Sequence, residues 1–407
     1  MKIVHVMNWY IPGMGYQENF LPFEQSKLGN EVIILTSDRY PQFRGFERHI
    51  GRILGSRTVE NGTSEIDGVK IQRLRTIFEY GRGRVLVLED LCHELQLLSP
   101  DIVHCHGTFT LSTLQATLAQ KSAGYKLFID DHSHQGNFDI SGFHKRAYVA
   151  LLVALYRIFS ERITGWMPVT ESAERILLAT ARVPKEKITL LPLGVDTSRF
   201  RRSDVLRTET RMEMDLDTAD IAVLTSGKFD NTKETVCLIE AIASLRMKEA
   251  GVHLVLVGDG PESYMNKIAN AIKDGRLGNH VHRVGFVRNA DLPRYYSAAD
   301  IGVWPGNHSI TVLEAAATGL PVIVPSNDIA YDCLLRPGAA LGFRRGDPRS
   351  LANAILRLCD DPNLRRSISG KAVALVNEQL SWPRIASHSL KIYSRHLGGT
   401  NDIPAKI

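Results

Sequence analysis

The feature that most constrains this chain is an alternation that runs through it twice. In the first half, apolar runs of strand length occur at KIVHVM (2–7), VIILTS (32–37), DIVHCHG (101–107), KLFIDD (126–131), GWMPVT (165–170) and ITLLPLG (188–194). Stretches with helical periodicity, such as Leu86–Leu98 and Lys145–Arg162, lie between several of them. A strand that is apolar at successive positions is buried on both faces, as happens in a parallel sheet covered by helices on either side. The pattern breaks into a polar stretch from Asp196 to about Asp220. It then restarts with IAVLTSG (221–227), HLVLVGDG (253–260), VHRVGFV (281–287), DIGVWPG (300–306), PVIVPS (321–326) and GAALGF (338–343). The expectation is an α/β chain of two parallel-sheet domains, residues 1–196 and 197–381. The last helical stretch, Trp382–Leu397, has no strand after it. No sequence repeat links the halves.

Length agrees with that division, because 407 residues make about two domains at ~100–200 residues each. With 44% hydrophobic and 23% charged residues, the chain is not disordered, collagen-like or multispanning. A net charge of +5 spread over two domains does not imply nucleic acid. It favours anionic small molecules or anionic lipid surfaces. Five cysteines, an odd number with no CxxC pair, argue against structural disulfides and zinc ribbons and suit a reducing cytosol. The N-terminus opens directly into a strand-like run without a signal-peptide core. The longest apolar stretch, Ala147–Phe159, contains Arg157 and is too short for ~30 Å of hydrocarbon. A soluble or peripheral cytoplasmic protein is expected.

In open α/β sheets, ligands settle at strand ends and helix N-termini, and four segments fall on such loops. In SGKFDNTKE, Lys228 stands at a strand end and Lys233 at the start of the next helix. Two ammonium groups there suit a diphosphate, since the helix dipole disfavours cations at an N-terminus unless an anion compensates. In PGNHSITVLEAAATG, Ser309 is a good N-cap for a helix ended by Gly319. The free amides of Ile310, Thr311 and Val312 would form an anion site, and Glu314, one turn inside, can accept from sugar hydroxyls. The plain alternatives are solvated lysines and a capped surface helix. In IPGMGYQEN, Gly13 and Gly15 allow close backbone approach, but there is neither a P-loop nor GxGxxG. In FIDDHSHQG, Asp130, Asp131, His132 and His134 cluster at a strand end. Adjacent strand residues point in opposite directions, so His132 beside a substrate is favoured over a metal site. His104 and His106 share one strand face and read as packing or supporting residues.

Taken in order, the motifs resemble the GT-B glycosyltransferases that retain anomeric configuration, the family-four (group 1) type. The likeness covers nearly the whole chain, from IPGMGYQEN through PDIVHCHG, LFIDDH, VTES, KITLLPLGVDTSRF and SGKFDNTKE to LVLVGDGPE, VGFV, YYSAADIGVWP and LEAAATGLPVIV. It ends with FRRGDPRSLANAI and the closing tryptophan helix. The resemblance implies two Rossmann-like domains facing each other across a cleft, with Trp382–Leu397 crossing back to complete the first. It assigns Lys228, where the family usually has Arg, and Lys233 to the donor diphosphate, and Glu314 to the nucleotide ribose. Lys for Arg loses bidentate geometry and keeps the charge. Val287 and Arg288 would read the base, and His132 would lie beside the donor sugar. Gly15 matches the first glycine of a Gly-Gly loop whose second is Tyr16 here, and Gly258 lies in the donor-side run LVLVGDGPE.

One departure is large. The family pairs glutamates eight positions apart, and the position eight before Glu314 is Gly306. That argues against covalent double displacement through that position and fits a front-face reaction, or else lost activity. The resemblance therefore implies a metal-independent transferase without a cofactor, using a nucleotide sugar, UDP favoured over GDP. The acceptor would be a glycan or a lipid-linked glycan in polysaccharide or glycolipid assembly. Other GT-B activities (an epimerase or a phosphorylase) and an inactive sugar-nucleotide-binding protein remain beside it. The segment HKRAYVALLVALYRIFSER sets basic residues around a Leu-rich helix. It suits either contact with an anionic membrane at the inner face or packing on the sheet.

Overall fold

The apolar runs form two sheets. The computed structural model describes residues 1–13, 15–41, 54–81, 85–133, 142–246 and 251–398. Contacts divide it into Met1–Leu193 together with the chain from Trp382 onward, and Gly194–Ser381. The sequence placed the first division three residues later, after residue 196.

The first unit runs β1 (Lys2–Val6), α1 (Leu21–Lys27), β2 (Glu31–Ser37), β3 (Gly62–Ile66), β4 (Val69–Leu74), β5 (Thr76–Tyr80), β6 (Val85–Leu88), α2 (Leu91–Leu98), β7 (Ile102–His106), α3 (Leu111–Ala123), β8 (Lys126–Asp131), α4 (Phe143–Ile158), β9 (Gly165–Pro168) and α5 (Glu171–Ile176). Its sheet has the order β3-β4-β2-β1-β7-β8-β9. All neighbours are parallel except β3 and β4. One face buries Val4, Val6, Val103, Cys105, Leu127 and Ile129 with Leu95, Leu152 and Tyr156. The alternate positions are apolar at Ile3, Ile102 and Phe128 and polar toward the strands' C-terminal ends. His5 is level with His104, and His106 with Asp130, so all four share the opposite face.

Two expectations fail here. Leu86–Leu98 is not one helix: its start is β6, paired antiparallel with β5, and the helix begins at Leu91. ITLLPLG is extended but not a strand. Its amides at Thr189 and Leu191 donate to Trp166 and Pro168 at 2.9 and 3.0 Å. Pro168 and Pro192 have no N–H, so the ladder cannot continue.

The second unit runs α6 (Asp204–Glu213), β10 (Ile221–Ser226), α7 (Thr235–Arg246), β11 (Val252–Val257), α8 (Glu262–Asp274), β12 (Val281–Gly285), α9 (Leu292–Ala298), β13 (Ile301–Val303), α10 (Ile310–Ala317), β14 (Val322–Pro325), α11 (Asp332–Leu335), β15 (Ala340–Phe343), α12 (Pro348–Asp360) and α13 (Pro362–Gln379). The sheet is parallel, in the order β12-β11-β10-β13-β14-β15. Counted within the unit, this is the Rossmann order 3-2-1-4-5-6. The order reverses between β10 and β13, so the loops after those two strands flank the switch point where such sheets bind ligands.

The last helix, α14 (Trp382–His396), rejoins the first unit. Trp382 stacks on Phe20 with ring centroids 5.3 Å apart, and Tyr393 packs on Phe128 at 4.9 Å. Among the described residues, no helix is long and apolar enough to cross a membrane.

Candidate functional site

After β10 the chain passes close to the end of β11. The amides of Gly227 and Phe229 donate to Val257 and Asp259 at 3.0 and 2.9 Å. A Cβ at Gly258 would stand 1.9 Å from the Gly227 carbonyl oxygen, so only glycine allows this approach. Asp230 then caps a short turn, accepting from the Thr232 amide at 2.9 Å, and the turn ends at Lys233. Lys233 Nζ donates to the carbonyls of Asn307 and His308 at 3.0 and 3.3 Å. An ammonium has three N–H donors, so the third remains for a ligand. Burial, with Arg345 nearby, pushes this ammonium below the usual lysine range. Lys228 is exposed and has no hydrogen bond or ion pair among the described residues.

The loop after β13 is held against that turn. Asn307 N–H donates to Thr232 O at 2.9 Å. Arg345 clamps both sides: Nε donates to Glu234 at 2.6 Å, Nη2 to Asn307 Oδ1 at 2.7 Å and Nη1 to Asp328 at 3.3 Å. A Cβ at Gly306 would lie 2.2 Å from Thr232 O and 2.7 Å from Lys233 Cα. No carboxylate side chain fits there.

Ser309 has the extended backbone of an N-cap, but its side chain makes no cap hydrogen bond. Its hydroxyl oxygen accepts from Thr311 Oγ1 at 2.9 Å instead, and Thr311 Oγ1 in turn accepts from Trp304 Nε1 at 3.0 Å. The expected trio of free amides is also reduced, because Val312 N–H donates to Ser309 O at 3.1 Å. Ile310 and Thr311 are left to offer N–H groups at the start of α10.

Glu314 is buried on α10. Its Oε1 accepts from Asn289 Nδ2 at 2.8 Å, while Glu314 Oε2 and Asn289 Oδ1 are buried without a partner. Burial pushes the Glu314 carboxyl up to about 7, with Asn289 and Arg199 pulling the other way. Two neighbouring acceptors without donors suit a ligand bearing two hydroxyls.

In the first unit, His132 follows β8. Burial works against its charge, but Asp130, whose Oδ2 lies 3.5 Å from His132 Nε2, raises it to about 9, with Glu18 and Asp131 adding to the effect. Asp131 points away and accepts from the Ser133 amide at 2.8 Å. Gly15 has φ +76°, and Tyr16, half exposed, accepts from the Asn19 amide at 2.9 Å. His134 lies outside the described residues.

Residues 220–361 match the family model of glycosyl transferases group 1, and residues 24–199 match that of glycosyltransferase family 4. The chain belongs to the group 1, family-four glycosyltransferases. Among curated proteins it is 27% identical, over 226 residues, to the GDP-mannose-dependent alpha-(1-6)-phosphatidylinositol monomannoside mannosyltransferase of Mycobacterium tuberculosis. That match covers 53% of this chain and 58% of the relative, little more than half its length. It is 19% identical to the alpha-monoglucosyldiacylglycerol synthase of Acholeplasma laidlawii, covering 71% of this chain and 74% of that one. The crystal structure of HepE from Anabaena in complex with UDP superposes with a TM-score of 0.75 at 16% identity, covering 97% of this chain and 100% of that one. The fold is therefore GT-B.

For this family-four chain, the second unit gathers Lys233, Gly258, Ser309, Ile310, Thr311 and Glu314 around one strand-end region. Arg288 is exposed and pairs with Asp291 at 2.9 Å. The contact to Glu314 comes from the next residue, Asn289. Sequence reasoning missed Asn289, Asn307 and Arg345. No local motif marks them, because their partners lie 25, 74 and 111 residues away.

Proposed function

We propose that the chain transfers a sugar, with retention, from a UDP-sugar to an acceptor hydroxyl. The observation that carries this reading is the pair of unpartnered buried acceptors, Glu314 Oε2 and Asn289 Oδ1. They stand at the Rossmann switch point, and a ribose diol supplies the two O–H donors they lack. Val287 and Arg288, on the same loop as Asn289, take the base. Lys228, the third N–H of Lys233 and the amides of Ile310 and Thr311 take the diphosphate. No metal ion or cofactor is invoked.

The backbone packing at Gly306 supports a front-face course. No side chain at that position can attack the anomeric carbon, so the acceptor oxygen bonds to it on the face from which the diphosphate departs. The leaving phosphate oxygen takes the acceptor's proton, and the cations and amides hold its charge in place. His132 offers a cation to an oxyanion of the substrate.

The acceptor is a lipid-linked glycan or a glycolipid, reached at an anionic membrane surface on the cytoplasmic side. The outer side of α4 supports this. Phe143, Ala147, Leu151, Ala154 and Ile158 are exposed at helical spacing, with Lys145, Arg146 and Arg157 beside them, a pattern suited to lying on anionic lipid. The names of the mycobacterial and Acholeplasma relatives include lipid acceptors or products.

Thermal shift against UDP-, GDP- and ADP-sugars, followed by product analysis in EDTA, tests the reading. Stabilisation by UDP-sugars and transfer with retained configuration are expected. Stabilisation by GDP-mannose alone would replace the donor, and binding without transfer to any acceptor would leave a sugar-nucleotide-binding protein.

A further inference from the structure

The loop after β13 spends its acceptors on the protein and keeps donors back. Tyr331 Oη donates to Gly306 O at 2.9 Å. Lys233 Nζ donates to Asn307 O and His308 O at 3.0 and 3.3 Å. Three successive carbonyls are thus engaged. The Asn307 main-chain amide is engaged too, donating to Thr232 O at 2.9 Å. The backbone at residue 307 is therefore held from both sides, independently of its side chain.

The Asn307 side chain is buried, and its neighbour fixes which way the carboxamide faces. Arg345 Nη2 lies 2.7 Å from it. A guanidinium has donors and no acceptor, so the atom facing Arg345 is the carbonyl oxygen Oδ1. Arg345 is itself held, with Nε and Nη1 donating to Glu234 and Asp328 at 2.6 and 3.3 Å. The NH2 of Asn307 therefore lies on the side away from Arg345. It has no hydrogen-bond partner among the described residues. Unlike Glu314 Oε2 and Asn289 Oδ1, it is not sealed from solvent. A buried side chain thus keeps two neutral N–H donors open at the switch point of the sheet, beside Lys233.

We propose that Asn307 binds the transferred sugar, its two N–H groups donating to sugar oxygens, and so helps decide which sugar the site accepts. The inference rests on the donor reading above, which gives the diphosphate to Lys228, Lys233 and the start of α10 and sets Gly306 beside the reacting carbon. Asn307 is the next residue, so the part of the donor within its reach is the sugar. A carboxamide here asks for the opposite partner to a carboxylate, because it donates where a glutamate would accept. Hydroxyl oxygens and an acetamido carbonyl both answer it. Being neutral, it reads the sugar without adding charge beside the diphosphate.

Calorimetry on the full chain tests it by comparing each sugar nucleotide with its own diphosphate. UDP-glucose, UDP-galactose and UDP-N-acetylglucosamine are set against UDP, and GDP-mannose against GDP. Asn307→Ala keeps the main-chain bonds of the loop, so melting temperature and affinity for the free diphosphate should stay near the parent's. Affinity for the sugar nucleotide relative to its diphosphate should fall by about tenfold, as for lost neutral hydrogen bonds. Asn307→Asp keeps the shape and the contact with Arg345 but offers acceptors for donors, and should change the ranking of the sugars. An unchanged ratio in folded Asn307→Ala would overturn the proposal. If that variant does not fold, an unchanged ranking in Asn307→Asp would do so. Equal losses for diphosphate and sugar nucleotide would put the NH2 on phosphate and overturn its assignment to the sugar. If the parent binds none of these nucleotides, the donor reading itself falls and takes this inference with it, whereas unchanged ratios in a parent that binds them remove the inference alone.

Discussion

Gly306 lies so close to Thr232 that a Cβ would stand 2.2 Å from the Thr232 carbonyl oxygen. The atoms in the way are backbone, so the turn carrying Lys233 would have to move. Gly306→Ala should cost about 1–3 kcal/mol in urea unfolding, the range for overpacking a tight site, and should lower transfer by displacing Lys233. Gly306→Glu should be worse on both counts. A folded, more active Gly306→Glu would show that the paired-glutamate arrangement fits after all.

The two lysines should separate in a way the sequence alone does not suggest. Lys233 holds two carbonyls of the loop before α10, so Lys233→Ala should lower both melting temperature and turnover. Lys228 is exposed, and Lys228→Ala should leave melting unchanged. If it meets the diphosphate, turnover should fall by about 10²–10³, as for loss of one preorganised donor. Near-normal turnover in either variant would remove it from the donor site.

Fold was readable because parallel strands covered on both faces are mostly apolar at successive positions, and the runs at 2–7, 126–131 and 221–227 are mostly so. What was missed is instructive. Asp67 and Gly68 both have positive φ, 46° and 77°, the two-residue turn that joins β3 to β4. The Asp-Gly pair is visible in the sequence, but β3 is nearly all exposed, and a search for apolar runs passes over it. Within the site, Glu314 and Lys233 could be found from local helix and strand punctuation. The shortened role of Ser309 could not, because it depends on Trp304 Nε1 reaching Thr311. The polar face holding His5, His104, His106 and Asp130 was half visible as two histidines on one strand. Its partners Gln25, Ser389 and Tyr393 come from helices at opposite ends of the chain.

Phe143, Leu151 and Ile158 are 80, 57 and 70% exposed, so replacing all three with Ser should not disturb the core. If α4 lies on lipid, the triple variant should lose most binding to phosphatidylglycerol-containing liposomes in co-sedimentation at low salt. The parent should release as salt rises, because its basic residues act through a screened field. Equal sedimentation of parent and variant would remove this face from the membrane reading.

Glu314 supplies a pH dependence with a definite sign. Its folded-state value of about 7 lies above its ordinary 4.5, so the folded chain holds a proton that the unfolded chain has released. Its contribution is complete below about pH 4.5 and disappears as pH rises toward 7, by up to about 3 kcal/mol. Glu314→Gln should flatten that part of the stability profile. Nucleotide binding should run the opposite way, because the ionised Glu314 Oε2 accepts from a ribose hydroxyl and the protonated one does not. Calorimetry with UDP from pH 5.5 to 8 should show affinity rising about tenfold per unit below 7 and levelling above it. In Glu314→Gln the affinity should be weaker and flat across the range. A parent affinity that is independent of pH would place the ribose somewhere other than Glu314 and Asn289.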